Sequence, residues 1–111
     1  MDEQSYFQKG IKYFQTRSVA ETCPFLYRVW IIKELERARD AEKLSMDYFQ
    51  IFKFSVLEKD GRRMQKIVHS QEVPEYERTF YFEPEGEGLN CKIYVIDDGQ
   101  DYATILYASE Y

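Results

Sequence analysis

The chain has 111 residues, 44% of them hydrophobic and 32% charged, with a net charge of −5, which is the size and composition of one domain able to bury its own core without metals or disulfides. No apolar run approaches the ~20 residues of a membrane span, and the polar start Met1-Asp2-Glu3-Gln4-Ser5 has no apolar core behind it, so neither a membrane protein nor a visible export signal is expected. Residues 1–70 carry 13 Lys/Arg against 10 Asp/Glu and residues 71–111 only 2 against 10, and the net acidity opposes binding to a polyanion, so nucleic acid is not the expected partner.

Residues 1–10 read as an N-terminal extension and 11–111 as a single α+β domain. The imperfect alternation over residues 11–19 predicts a first strand with one wetter face. Cys23-Pro24 then opens a helix to about Arg39, because proline suits a first turn and Thr22 or Cys23 can cap it. Its apolar residues fall on two faces. Phe25, Leu26, Val29, Trp30 and Ile32 make a broad one, while Tyr27, Ile31 and Leu35 line another at i, i+4, i+8 and are read as a surface for a loop of the same chain or an oligomer face.

Residues 48–57 are the clearest strand, expected to be central, with Phe52, Phe54 and Val56 separated by Lys53 and Ser55. Lys59-Asp60-Gly61 supplies a tight hairpin turn into a strand over residues 64–71. Val73-Pro74-Glu75 breaks the ladder, residues 79–82 form a short edge strand, and residues 83–88 are a loop. A second hairpin joins residues 91–96 to 102–107 through an Asp-Gly turn. The order β-α-β-β-(β)-β-β predicts an antiparallel sheet of about five strands with one main helix packed on a face.

Ten Tyr and eight Phe suit half-buried strands. Cys23 and Cys91 follow no metal-ligand spacing, and free thiols in a reducing cytoplasm are the simpler reading. No metal or cofactor is expected: Asp97, Asp98 and Asp101 bracket Gly99 as a hairpin turn requires, without the longer alternating span of a calcium loop. Nor is there a glycine-rich phosphate cradle, a Cys-x-x-Cys pair or a nucleophile elbow. His69, the only histidine, reads as a partly exposed strand residue bonded to a neighbour. A weaker alternative pairs it with Cys23, whose thiol at a helix N-terminus would be a nucleophile.

The segments Thr16-Arg17-Ser18-Val19, Trp30, residues 47–52 (DYFQIF), residues 67–72 (IVHSQE) with Pro74 and Tyr76, Ile96-Asp97-Asp98-Gly99 and the final Glu110-Tyr111 resemble the Firmicutes and phage-borne family catalogued as domain of unknown function 960. The similarity spans about residues 12–111 and departs at Ser18, usually Gly, at Phe49, commonly Leu, and at Phe14, usually Tyr. It implies a small α+β fold in bacteria or their mobile elements, with no established activity and no agreed catalytic residues.

The function expected from these readings is non-catalytic. The chain binds another protein or itself through an acidic, Tyr-rich surface made of Glu72, Glu75, Glu77, Glu83, Glu85, Glu87, Asp97, Asp98 and Asp101. A specific version is an inhibitor of a nucleic-acid-handling host protein. The alternative is a small-molecule-binding or hydrolytic domain using Cys23 and His69.

Overall fold

The computed structural model describes residues 5–111. Its elements are β1 (Lys12–Gln15), α1 (Arg17–Thr22), α2 (Phe25–Asp40), β2 (Phe49–Lys59), β3 (Arg62–Gln71), β4 (Tyr76–Phe82), β5 (Cys91–Asp97) and β6 (Tyr102–Tyr107), closed by a 3-10 turn at Ala108–Glu110. The class is α+β, as expected. The sheet, however, is mixed and has six strands in the order β1-β6-β5-β2-β3-β4, with β1 parallel to β6. The helical crossover returns the chain to the end where β1 began, so β1 and β2 run parallel, and the β5-β6 hairpin fills the two places between them. None of the described helices is long and apolar enough to cross a membrane.

The first strand is shorter than expected because Thr16 ends it. The Thr16 hydroxyl accepts from the Val19 amide at 3.3 Å, an N-cap that turns residues 17–22 into α1 and buries Val19. An Arg17 to Glu21 pair at 3.0 Å supports the short helix. Cys23 is therefore the C-cap of α1, not the cap of the next helix, and Pro24 begins α2 with no side-chain cap at all. Thr22 closes α1 instead, its hydroxyl donating to the Ser18 carbonyl at 2.7 Å and meeting the Tyr107 hydroxyl at 2.6 Å.

The two faces expected for α2 exchange roles. Tyr27, Ile31, Glu34, Leu35 and Ala38 form one stripe at helical spacing and are buried against the sheet, whereas Phe25 and Leu26 are 65% and 58% exposed. The face read as an oligomer contact is thus the core face, because burial follows the stripe that continues down the helix to Ala38, and Phe25 and Leu26 lie off that stripe. Trp30 and Ile32 flank the core, and Trp30 packs edge-on against Phe52, Phe80 and Phe82. The sheet contributes Phe52, Phe54, Ile67, Ile93, Val95 and Ile105 to this layer.

Both hairpins form where Asp-Gly occurs. Asp60 and Gly61 both have positive φ, 55° and 76°, as the tight two-residue turn demands. Ahead of β1, Phe7 is buried in the core. Its amide donates to Asp97 Oδ2 at 2.7 Å and its carbonyl accepts from Arg39 at 3.0 Å.

Candidate functional site

His69 lies on β3 at a position facing α2, and it is fully buried rather than partly exposed. Its ring stacks on Phe52 at 4.5 Å and meets Tyr76 edge-on at 5.3 Å. Its acid is Glu34 from α2, distant in sequence: Nδ1 is 2.7 Å from Glu34 Oε2, and Nε2 is 2.6 Å from Gln50 Oε1. Hydrogen-bond polarity can be traced through the cluster. The Gln71 amide nitrogen donates to the carbonyls of Ser45 and Pro74, so Gln71 Oε1 accepts, from the Asp47 amide and from Gln50 Nε2. Gln50 Oε1 must then accept from His69 Nε2, which carries a hydrogen.

Glu34 also receives two hydrogen bonds from Arg37, at 2.7 and 3.0 Å. Burial pushes the Glu34 carboxyl upward, but the bonds from His69 and Arg37, with their charges, outweigh it and hold the group below the usual carboxylate range. The ring is thus held between the Glu34 carboxylate at Nδ1 and the Gln50 amide oxygen at Nε2. Beyond Glu34, Arg37 pairs with Glu42 and donates to the Tyr76 hydroxyl, and Glu42 also pairs with Arg78. The cluster ties α2, β2, β3 and β4 together.

Cys23 does not join this cluster. It is 3% exposed, its sulfur points to the Pro24 carbonyl at 3.8 Å, and burial, with a smaller push from the Cys91 thiol, raises it to about 11. Cys91 is likewise pushed up to about 11 by burial. A thiol held in that range is not a ready nucleophile. Both cysteines of the folded protein are expected to resist iodoacetamide at about pH 8 and to react fully once unfolded, read by mass spectrometry; rapid single labelling of Cys23 in the folded state would contradict the assignment.

The acids named from sequence do not gather on one face. The register Ile51 to Ser70 and Phe49 to Ile96 puts Glu72, Glu75 and Glu77 and the turn bearing Asp98 and Asp101 at one end of the strands. Glu83, Glu85 and Glu87 follow Phe82, which pairs with Gln65, and so lie at the other end, ~20 Å away by strand rise. There the loop meets the basic hairpin, with Arg62 to Glu83 at 2.9 Å and Arg63 donating to the Glu87 carbonyl. Asp97 is buried and accepts from the amides of Phe7 and Gly99, and Asp98 accepts from Gln100. Those two carboxylates hold the turn. Among the described residues, no group of three or more His, Cys, Asp or Glu side chains comes together as a metal-ligand set.

What the fold leaves uncovered is the second face of the sheet. Strand alternation sends Phe52, Phe54, Ile67, Ile93 and Ile105 under α2, so their sequence neighbours point the other way. Six cations stand at those outward strand positions, Lys12, Lys53, Lys59, Arg62, Lys66 and Lys92, against one acid, Glu77. Lys53 and Lys92 are directly opposite one another on β2 and β5. Lys66, opposite Ser55, is one diagonal step from Lys53. None of Lys12, Lys53, Lys66 and Lys92 forms an ion pair with a described residue. Beside them Phe49, Tyr94 and Tyr111 form an aromatic cluster at 4.7–5.6 Å, and Phe14 meets Tyr102 at 5.4 Å.

Sequence reading missed Glu34 and Gln50 as partners of His69, and the lysines of the open face. The outward lysine at position 53 was legible from the phase of Phe52 and Phe54; that Lys92 sits across from it depends on strand order. No family model matches this chain, and neither does any curated protein. A solved structure described as the crystal structure of the protein of unknown function from Enterococcus faecalis is similar over 100% of this chain and 98% of its own, at 19% identity and a TM-score of 0.66. At that identity the likeness shows a shared fold.

Proposed function

We propose that this protein is a non-catalytic interaction module, bacterial and cytoplasmic, that takes a macromolecular partner on the open face of its sheet. The observation that carries the reading is the segregation of charge and apolar surface: outward cations against a single acid, beside half-buried aromatic and aliphatic side chains, in a chain of net charge −5. Like charges directly opposite on neighbouring strands weaken a sheet, so Lys53 and Lys92 are placed at a cost to the fold, which is where a binding role is expected. The acidic groups are a weaker contact surface, being divided between two ends of the sheet and partly used in turns and ion pairs. The alternative of a small-molecule-binding or hydrolytic domain draws no comparable support, since His69 is sealed and Cys23 is not among its partners.

Affinity capture from bacterial extract tests the reading when three baits are compared. The native chain and Phe25→Ser, on the outer side of α2, are expected to retain the same species, while Lys92→Glu loses them. Identical capture by all three baits would remove the open face from the proposal.

A further inference from the structure

We infer that the occupant of this face is single-stranded nucleic acid, an inference that rests on the open face being the contact surface. Single strands are held by cations that track the backbone and by aromatic rings on which bases stack, and the face offers both in adjacent rows. Lys92 and Lys53 form one row across β5 and β2, with Lys66 beside them on β3. The next row toward the far end of β5 holds Tyr94 opposite Ile51, with Phe49 and Tyr111 against it. Successive rows on one face are ~7 Å apart, a separation that lets phosphates follow the lysines while bases lie over the rings. Lys59 stands over the Tyr81 ring at 4.9 Å and extends the same pattern toward the β3-β4 edge.

Other occupants fit less well. A second copy packed face to face about a two-fold axis would bring Lys53, Lys66 and Lys92 against another lysine cluster. An acidic protein would meet the lysines but has no need of the aromatic row, and a duplex hides the base faces that the rings would stack on. The chain's net acidity is a weaker objection than it looks from sequence. Its acids are concentrated beyond the ends of the strands, and at physiological salt charges more than ~8 Å apart in solvent are largely screened.

The test is fluorescence anisotropy with a labelled oligothymidylate of about 15 nucleotides, a length within reach of small single-strand binding folds. Competitors are poly-L-glutamate and a duplex of matched length. Binding at about 50 mM salt is expected, with log Kobs falling against log salt at a slope of about −2 if three lysines each neutralise one phosphate. Lys92→Glu, which sets an opposite charge across from Lys53, should fold as stably as the native chain yet bind about 20-fold more weakly, while Phe25→Ser binds normally. Absence of binding in low salt, equal binding of poly-L-glutamate or duplex, or an unchanged affinity in Lys92→Glu would each overturn the inference. If the oligonucleotide does not bind but capture still depends on Lys92, the nucleic-acid inference fails and the open-face reading survives.

Discussion

Replacing Glu34 by alanine is expected to lower the folding stability by about 3–5 kcal/mol, the cost of removing one partner from a buried ion pair. The change strips the carboxylate from a His69 ring with no exposure to water and leaves Arg37 without two of its hydrogen bonds. Denaturant unfolding followed by circular dichroism measures the loss, and a value below about 1 kcal/mol, the range of exposed pairs, would mean the cluster is not charged as described.

The same pair has a pH signature. Glu34 titrates below its ordinary value of 4.5 in the folded chain, so just below that pH the unfolded chain binds more protons and stability rises with pH. Its contribution is present above 4.5 and is lost as the pH falls through the lower folded value. Glu34→Gln, which cannot ionise, should lack that share of the acid destabilisation, so the gap between native chain and variant narrows on acidification. A gap that stays constant with pH would place the effect in packing alone.

The second large effect belongs to Ile31. Truncation to alanine is expected to cost about 2–5 kcal/mol, the range for large-to-small changes in a core, because Ile31 is completely buried between α2 and the sheet. For a domain of this size that corresponds to a fall in Tm of roughly 4 °C or more per kcal/mol. The result also discriminates core from oligomer face. A core residue gives the same loss at every protein concentration, whereas an interface residue gives a loss that grows with concentration; thermal melts of dilute and concentrated samples separate the two.

Much of the architecture was legible residue by residue. Asp60-Gly61 and Asp98-Gly99 announced two hairpins because so few residue pairs accept the positive φ of their turns. Pro24 marked the start of the main helix, and Val73-Pro74 the break before β4. The direction of β1 was not legible. A four-residue edge strand pairs with β6, nearly 90 residues later, and nothing in its own alternation says which way its neighbour runs.

The inward phase of β3 was equally hidden. Met64, Lys66, Val68 and Ser70 alternate as well as Gln65, Ile67, His69 and Gln71 do, so periodicity alone could not tell which set enters the core. The second set does so because its polar members find buried partners. Gln65 bonds Tyr27 and the Leu89 backbone, His69 bonds Glu34 and Gln50, and Gln71 bonds the chain around Asp47 and Pro74. Sequence reasoning treats a glutamine or a histidine as a vote for solvent. A buried partner, up to 38 positions away, reverses that vote.

Local chemistry by itself therefore determined the class of fold, the main helix, the two Asp-Gly turns and the phase of β2, since each depends on backbone preferences and periodicities contained within a few residues. Only the tertiary structure decided which α2 stripe is core, what holds His69, and where the charge lies. Strand order sets neighbours ~4.8 Å apart that the sequence keeps dozens of residues apart. It joins the basic β2-β3 turn to the acidic loop after β4, which pairs off charge that looked segregated along the chain. It also brings Lys92, one of only two cations in the acidic last third, across from Lys53.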